Sequence, residues 1–215
     1  MESLKIDSGV SNFLENSRYS YRPYQEDMFS YALGYENRKS CRTVNFLRFV
    51  DYLLQRLKES VFGYEIYDFD LDSWTTLDVS PHWHIISCDL GITLKRNTYW
   101  HAREMNLEEN IVDHIICFDF TRERFRPLLP LPVSVGVHDY EYLTLSRVRE
   151  EKLAALFQHT ESNPYELEIW ITTKIEAEMV SWSKFLRMDT GPDILVTTIC
   201  EGYFIDEEKK VAMGF

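Results

Sequence analysis

Positive charge is scarce in this 215-residue chain: 23 Lys and Arg face 35 Asp and Glu, for a formal charge of −12 and a pI near 5.0. Such a surface repels a phosphate backbone, and the one basic cluster, LKRNTYWHAR at 94–103, is short and flanked by acids. Nucleic acid is therefore not an expected partner. No apolar run reaches the length of a membrane span, and the opening MESLKI lacks the basic end and apolar stretch of a signal peptide, so no membrane association is expected. Cysteine is sparse as well. Cys41, Cys88, Cys117 and Cys200 lie far apart without a CxxC pair, and no N-x-[ST] sequon occurs. Both facts suit free, buried thiols inside the cell, in a cytoplasmic or nuclear compartment.

Aromatic and apolar residues are abundant instead, at 14% and 45%, enough to bury one sizeable core. They recur in a pattern. YEIYDFDLDSWTTLDVSP (64–81), DHIICFDFTRERFRPLLPLP (113–132) and EIWITTKIEAEMVSWSKFLRMD (168–189) share one layout: an aromatic-bearing strand, a polar turn, then an aromatic with an apolar residue three further on. Those closing pairs are Trp74 and Leu77, Phe125 and Leu128, and Trp182 and Phe185. Tyr67 precedes Phe118 by 51 residues and Phe118 precedes Trp170 by 52. Counted from Trp170, the third turn is five residues longer than the other two.

A second track of strand, charged turn and strand runs between these units: GITLKRNTYW (91–100), LTLSRVREEKLAALF (143–157) and GYFIDEEKKVAM (202–213), with an earlier member at YALGYENRKSCRTVNFLRF (31–49). Two alternating hairpins give four strands per period of about 50 residues, the blade size of kelch-type propellers rather than the 40–45 of WD40 repeats. Strands such as HIICFDF and EIWI are apolar on both faces, as sandwiched blades require. The expected fold is all-β: a partial kelch-like β-propeller of about three to four blades built from four-stranded antiparallel units. An ordinary antiparallel sandwich is the alternative. FLRFVDYLLQRLKES (46–60) has apolar residues at helical spacing and reads as a strand to about Val50 followed by a short helix or loop.

These segments resemble the F-box-associated domain of plant F-box proteins. The likeness lies in YALGYENRKSC, YEIYDFD with WTTLD, GITLKRNTYW, HIICFDFTRERF, REEKLAALFQ, EIWITTKIE with VSWSKFLRMD, and YFIDEEKKVAM, and covers about residues 30–215. It implies a propeller-like, non-enzymatic interaction domain on the substrate-receptor subunit of a Skp-cullin-F-box ubiquitin ligase, binding a protein client. Residues 1–30 contain no Leu-Pro helical array of the F-box kind. The division is therefore an N-terminal segment at 1–30 and an interaction domain at 31–215. The chain reads as a truncated member, with adaptor and cullin as partners only if an F-box is supplied. A decoy that binds the client without the ligase is a second reading, and a carbohydrate-binding or hydrolytic propeller a third.

No catalytic, cofactor or metal site is expected. His82 and His84 share a face of an extended PHWH run, but no further His or Cys lies at ligand spacing. His114 and Cys117, three apart in a strand, point to opposite faces. REE at 149–151 and DEEKK at 206–210 fall at hairpin tips, where solvated charge is usual. Asp68 and Asp119 match in the repeat and read as turn anchors rather than a carboxylate pair for hydrolysis. Links at 78–84, 130–140 and 189–194 leave equivalent places in the repeat and share a rim. Their His82, Trp83, His138, Asp139 and Tyr140 are the candidate partner-binding residues, against the plainer reading that the links only connect strands.

Overall fold

The computed structural model describes residues 30–38, 41–54, 59–69, 71–86, 91–104, 112–132, 142–149, 151–159, 166–189 and 203–214. Every regular element among them is a β-strand, and all pairings are antiparallel. Blade 1 contains β1 (Ser30–Arg38), β2 (Cys41–Leu54), β3 (Glu59–Asp68) and β4 (Ser73–Thr76), paired in chain order. In blade 2 the first position is shared by β5 (Trp83–Ile85) and β6 (Ile92–Leu94), which pair end to end with β7 (Asn97–Glu104). Next come β8 (Val112–Asp119) and an outer position shared by β9 (Arg124–Phe125) and β10 (Leu129–Pro130). Blade 3 is again in chain order: β11 (Tyr142–Val148), β12 (Lys152–His159), β13 (Glu166–Ile175) and β14 (Val180–Asp189). The hairpin β15 (Tyr203–Asp206) and β16 (Val211–Gly214) forms half of a fourth unit. The fold is a partial β-propeller.

Blades stack because their strands are apolar on both faces. Ile116 and Phe118 of β8 join Leu47, Phe49, Tyr64, Trp83 and Trp100 in the seam between blades 1 and 2. The alternate residues Ile115 and Cys117 join Tyr99, Leu145, Leu153 and Phe157 in the seam between blades 2 and 3. Ala154, Ile169 and Ile171 meet Tyr203 and Ile205 in the third. The first strands β1, β6, β11 and β15 touch in succession and line the axis. The Thr93 hydroxyl donates to the Leu33 carbonyl at 3.1 Å, and the Ser146 hydroxyl donates to the Tyr203 carbonyl.

The aromatic that opens each outer strand occupies the same place in every unit. Trp74 pairs with Tyr67, Phe125 with Phe118, and Trp182 with Thr172. Register thus supports the repeat but moves the equivalent of Tyr67 and Phe118 from Trp170 to Thr172. Ten residues separate Thr172 from Trp182 against seven in the other two hairpins, so the third turn is longer by three residues, not five. Those three residues are one further ladder pair and one bulged residue at the register shift between Thr172 and Lys174.

The 46–60 stretch is also corrected. β2 continues to Leu54, with Leu53 opposite Ser60 and Leu54 opposite Glu59 on β3. Apolar spacing in a short run cannot by itself separate strand from helix, and pairing with β3 decides.

Three hairpins use one turn. The Asp68 carboxylate accepts the Leu71 N–H at 3.1 Å. Asp119 Oδ1 accepts the N–H groups of Thr121 and Arg122 at 3.0 and 3.2 Å, and Asp206 those of Glu208 and Lys209, both at 3.1 Å. Four residues after each Asp, Asp72, Glu123 and Lys210 adopt left-handed backbone, with φ of 51°, 50° and 54°. Asp68 and Asp119 are thus turn residues.

Blade stacking leaves no room at Gly34. A Cβ there would overlap the buried Phe120 ring of blade 2. Gly34→Ala is expected to destabilise by about 1–3 kcal/mol through overpacking, read as a lower urea midpoint.

Candidate interaction surface

Antiparallel order places the turns between first and second strands, and between third and fourth, at one end of the propeller. The strand ends that lead from second to third strands, and from one blade to the next, lie at the opposite end. The rim expected to bind a partner is built from blade-to-blade links. His82 is exposed there, one residue ahead of β5. Trp83 is not part of the surface: it is 5% exposed, with its ring centroid 6.2 Å from that of Tyr64 and 4.9 Å from that of Phe125. The link ends earlier than expected because Trp83–Ile85 pairs with Glu104–Ala102 of β7, so β5 draws the indole into the seam. His138, Asp139 and Tyr140 lie outside the described residues.

A partly buried ionic cluster lies on β7 and β8. Arg103 on β7 grips Asp113 on β8 with two hydrogen bonds, at 2.7 and 3.1 Å, and His101 Nε2 lies 3.4 Å from the second carboxylate oxygen. His84 faces Arg103 across the strand pair. Burial holds its imidazole below the ordinary range, reinforced by Arg103 and His101 and opposed by Asp113, so it is neutral at pH 7. Among the described residues no group of three or more His, Cys, Asp or Glu is arranged to hold a metal ion.

Nucleophilic chemistry finds no support at Cys117. Burial pushes its thiol up to about 12, so the reactive thiolate is absent at neutral pH. His114 directs Nδ1 to the Val112 carbonyl at 3.2 Å, and its partner in register is Ala102, not Tyr99, which faces Cys117.

An exposed aromatic surface on blade 1 was not anticipated from the sequence. On blade 1, Tyr31 stacks on Phe46 with centroids 5.3 Å apart. Trp74 adjoins Phe46 at 5.8 Å and Tyr67 at 5.1 Å, and Arg48 lies 4.0 Å over the Trp74 ring. Arg48 is itself paired with Glu65 at 2.6 Å. Tyr31, Leu33 and Phe69 are exposed by 47%, 55% and 55%. The same side of blades 2 and 3 carries Phe125 and Trp182, each packed on the preceding blade. No other blade among the described residues covers that face, and no local sequence pattern marks it as exposed.

The F-box associated beta propeller domain profile matches residues 11–215. The chain belongs to that family. Among its curated relatives, the F-box protein At2g38590 of Arabidopsis thaliana is 65% identical over 92% of this F-box associated domain chain and 46% of its own length. The Arabidopsis F-box/kelch-repeat protein At4g33290 is 62% identical over 92% of the chain and 46% of its own length. The chain thus spans about half the length of these curated relatives. An Arabidopsis protein named Peroxiredoxin-2A is 51% identical over 85% of the chain, but the match covers 32% of that protein. No solved structure matches. The family match begins at residue 11, inside the segment set apart at 1–30. Among the described residues no helix is long and apolar enough to cross a membrane.

Proposed function

We propose that this F-box associated domain is a protein-client receptor module without chemistry of its own, working inside the cell in a Skp-cullin-F-box ubiquitin ligase when an F-box is joined to it. The observation that carries the reading is the family match over nearly the whole chain, together with relatives named F-box proteins. In this reading residues 31–215 form the client-binding domain. The client meets the rim of blade-to-blade links, through His82, His138, Asp139 and Tyr140, with Trp83 as the buried support of His82. Asp68, Asp119 and Asp206 hold hairpin turns, which favours recognition over glycoside hydrolysis.

The test is affinity capture with mass spectrometry, comparing wild type with His82→Ala/Tyr140→Ala. Proteins retained by the wild type and depleted at least about tenfold by the folded double variant are the expected result. An identical captured set from both proteins removes this rim. Turnover in a glycosidase screen removes the receptor reading. Co-purification of the adaptor subunit separates a ligase receptor from a decoy.

A further inference from the structure

We propose that the cavity at the turn end of the axial channel binds an extended acidic peptide segment, with Arg147 pairing to a carboxylate. The cavity, about 660 Å³, lies between three first strands and is lined by Gly91 to Thr93, Ser146, Arg147, Arg149, Tyr203 and Phe204. It is at the opposite end from the rim assigned above, and the proposal stands whether or not the receptor reading holds.

Three observations fix the ligand class. First, the charge is locally reversed: in a chain of net charge −12, two guanidinium groups line this cavity and none of its lining residues is Asp or Glu. Arg147 is exposed and makes no ion pair among the described residues. Arg149, in left-handed backbone with φ of 53°, reaches Glu208 at 2.7 Å, but these side chains are 62% and 81% exposed, so the pair is weak and open to exchange. A guanidinium unpaired in a cleft focuses the local field and takes carboxylates in a two-pronged geometry.

Second, among the described residues β6, β11 and β15 are all edge positions of their sheets with no strand paired on the inner side, while the Tyr203 carbonyl accepts from Ser146. An extended peptide satisfies such edges as an added strand does. A free sugar or a small anion makes no use of them. Third, Phe204, 47% exposed, forms an apolar wall for a side chain next to the acidic one. Gly91 lets β6 lie close against β7: a Cβ there would overlap the buried Trp100 indole.

The experiment is fluorescence anisotropy of a short glutamate-rich peptide against the full chain. The same peptide with glutamine at every acidic position serves as comparison, and free glutamate as competitor. Binding of the acidic peptide alone is expected, weakening with added salt. Arg147→Gln and Arg147→Glu should each weaken it by about tenfold or more, and Arg124→Glu on the outer strand of blade 2 should leave it unchanged. Both Arg147 variants alter an exposed side chain, and unchanged circular dichroism confirms that they fold. The proposal is overturned if the wild type does not bind, if the glutamine peptide binds equally, or if Arg124→Glu is as damaging as Arg147→Glu. It is also overturned if free glutamate displaces the peptide at equal concentration, which would mark a simple anion site. Client capture that persists in Arg147→Glu, with peptide binding lost, separates this site from the rim.

Discussion

Trp83→Ala is expected to destabilise the domain by about 3–5 kcal/mol, the range for removing a buried large aromatic. The indole is 5% exposed and shares its seam with Tyr64, Phe125, Ile85 and Trp100. Tyr64 and Phe125 also contact each other at 4.9 Å, and Phe125 in turn touches Phe118 at 5.0 Å, so the lost ring leaves a hole in a continuous aromatic layer. A layer shared by two blades cannot close by moving one strand, which places the cost high in the range. For a chain of this size the melting temperature should fall by about 6 °C or more. His82→Ala, one residue earlier and exposed, should stay within about 0.5 kcal/mol of wild type. Urea melts of the two variants decide the matter. Equal midpoints would return Trp83 to the surface and break the assignment of β5. The consequence for function is direct: loss of client capture by Trp83→Ala would report unfolding, so a rim must be mapped with His82 and Tyr140.

The propeller was legible because it rests on repetition. A strand, a turn of fixed length and an aromatic partner recur at Tyr67 with Trp74 and at Phe118 with Phe125, and the pairing registers reproduce that offset. Trp170 misled because spacing counts residues and not hydrogen bonds; the ladder pairs Trp182 with Thr172, two residues further on. The helix-or-loop reading beyond Val50 failed because apolar spacing in a short run does not separate strand from helix, whereas the pairing of β2 with β3 does. Surfaces were the least legible. Trp74, Phe125 and Trp182 look alike in sequence and hold the same place in their blades, yet only Trp74 lies on a face with no preceding blade among the described residues. Exposure there is a property of blade order, not of local pattern. The charged turns gave no hint of the axial cavity either, because Arg147 reads as one more solvated residue until β6 and β15 are placed beside β11.

Asp119→Ala is expected to cost about 3–5 kcal/mol, since it strands a partly buried guanidinium and frees two turn N–H groups. The carboxylate is buried. Its Oδ2 accepts from Arg126 at 2.7 Å and Arg122 at 3.0 Å, while Oδ1 caps the turn. Arg122 is 59% exposed and can return to water, whereas Arg126 is 18% exposed and keeps most of the penalty. Asp119→Asn retains a turn acceptor and loses only the charge, so about 1.5–3 kcal/mol is expected. Protonation should imitate the asparagine variant. Burial alone would raise the Asp119 pKa, but hydrogen bonds from Arg126 and Arg122 outweigh it and hold the carboxyl below its ordinary 3.8. A depressed carboxyl contributes stability fully above its unfolded value and loses it as pH falls through the folded one. The difference between wild type and Asp119→Asn should therefore be constant from pH 7 to about 5, shrink below 3.8, and vanish under the folded pKa. Parallel urea melts along that series test it, and a difference that persists at the lowest pH would show that geometry, not charge, holds the Asp119 turn.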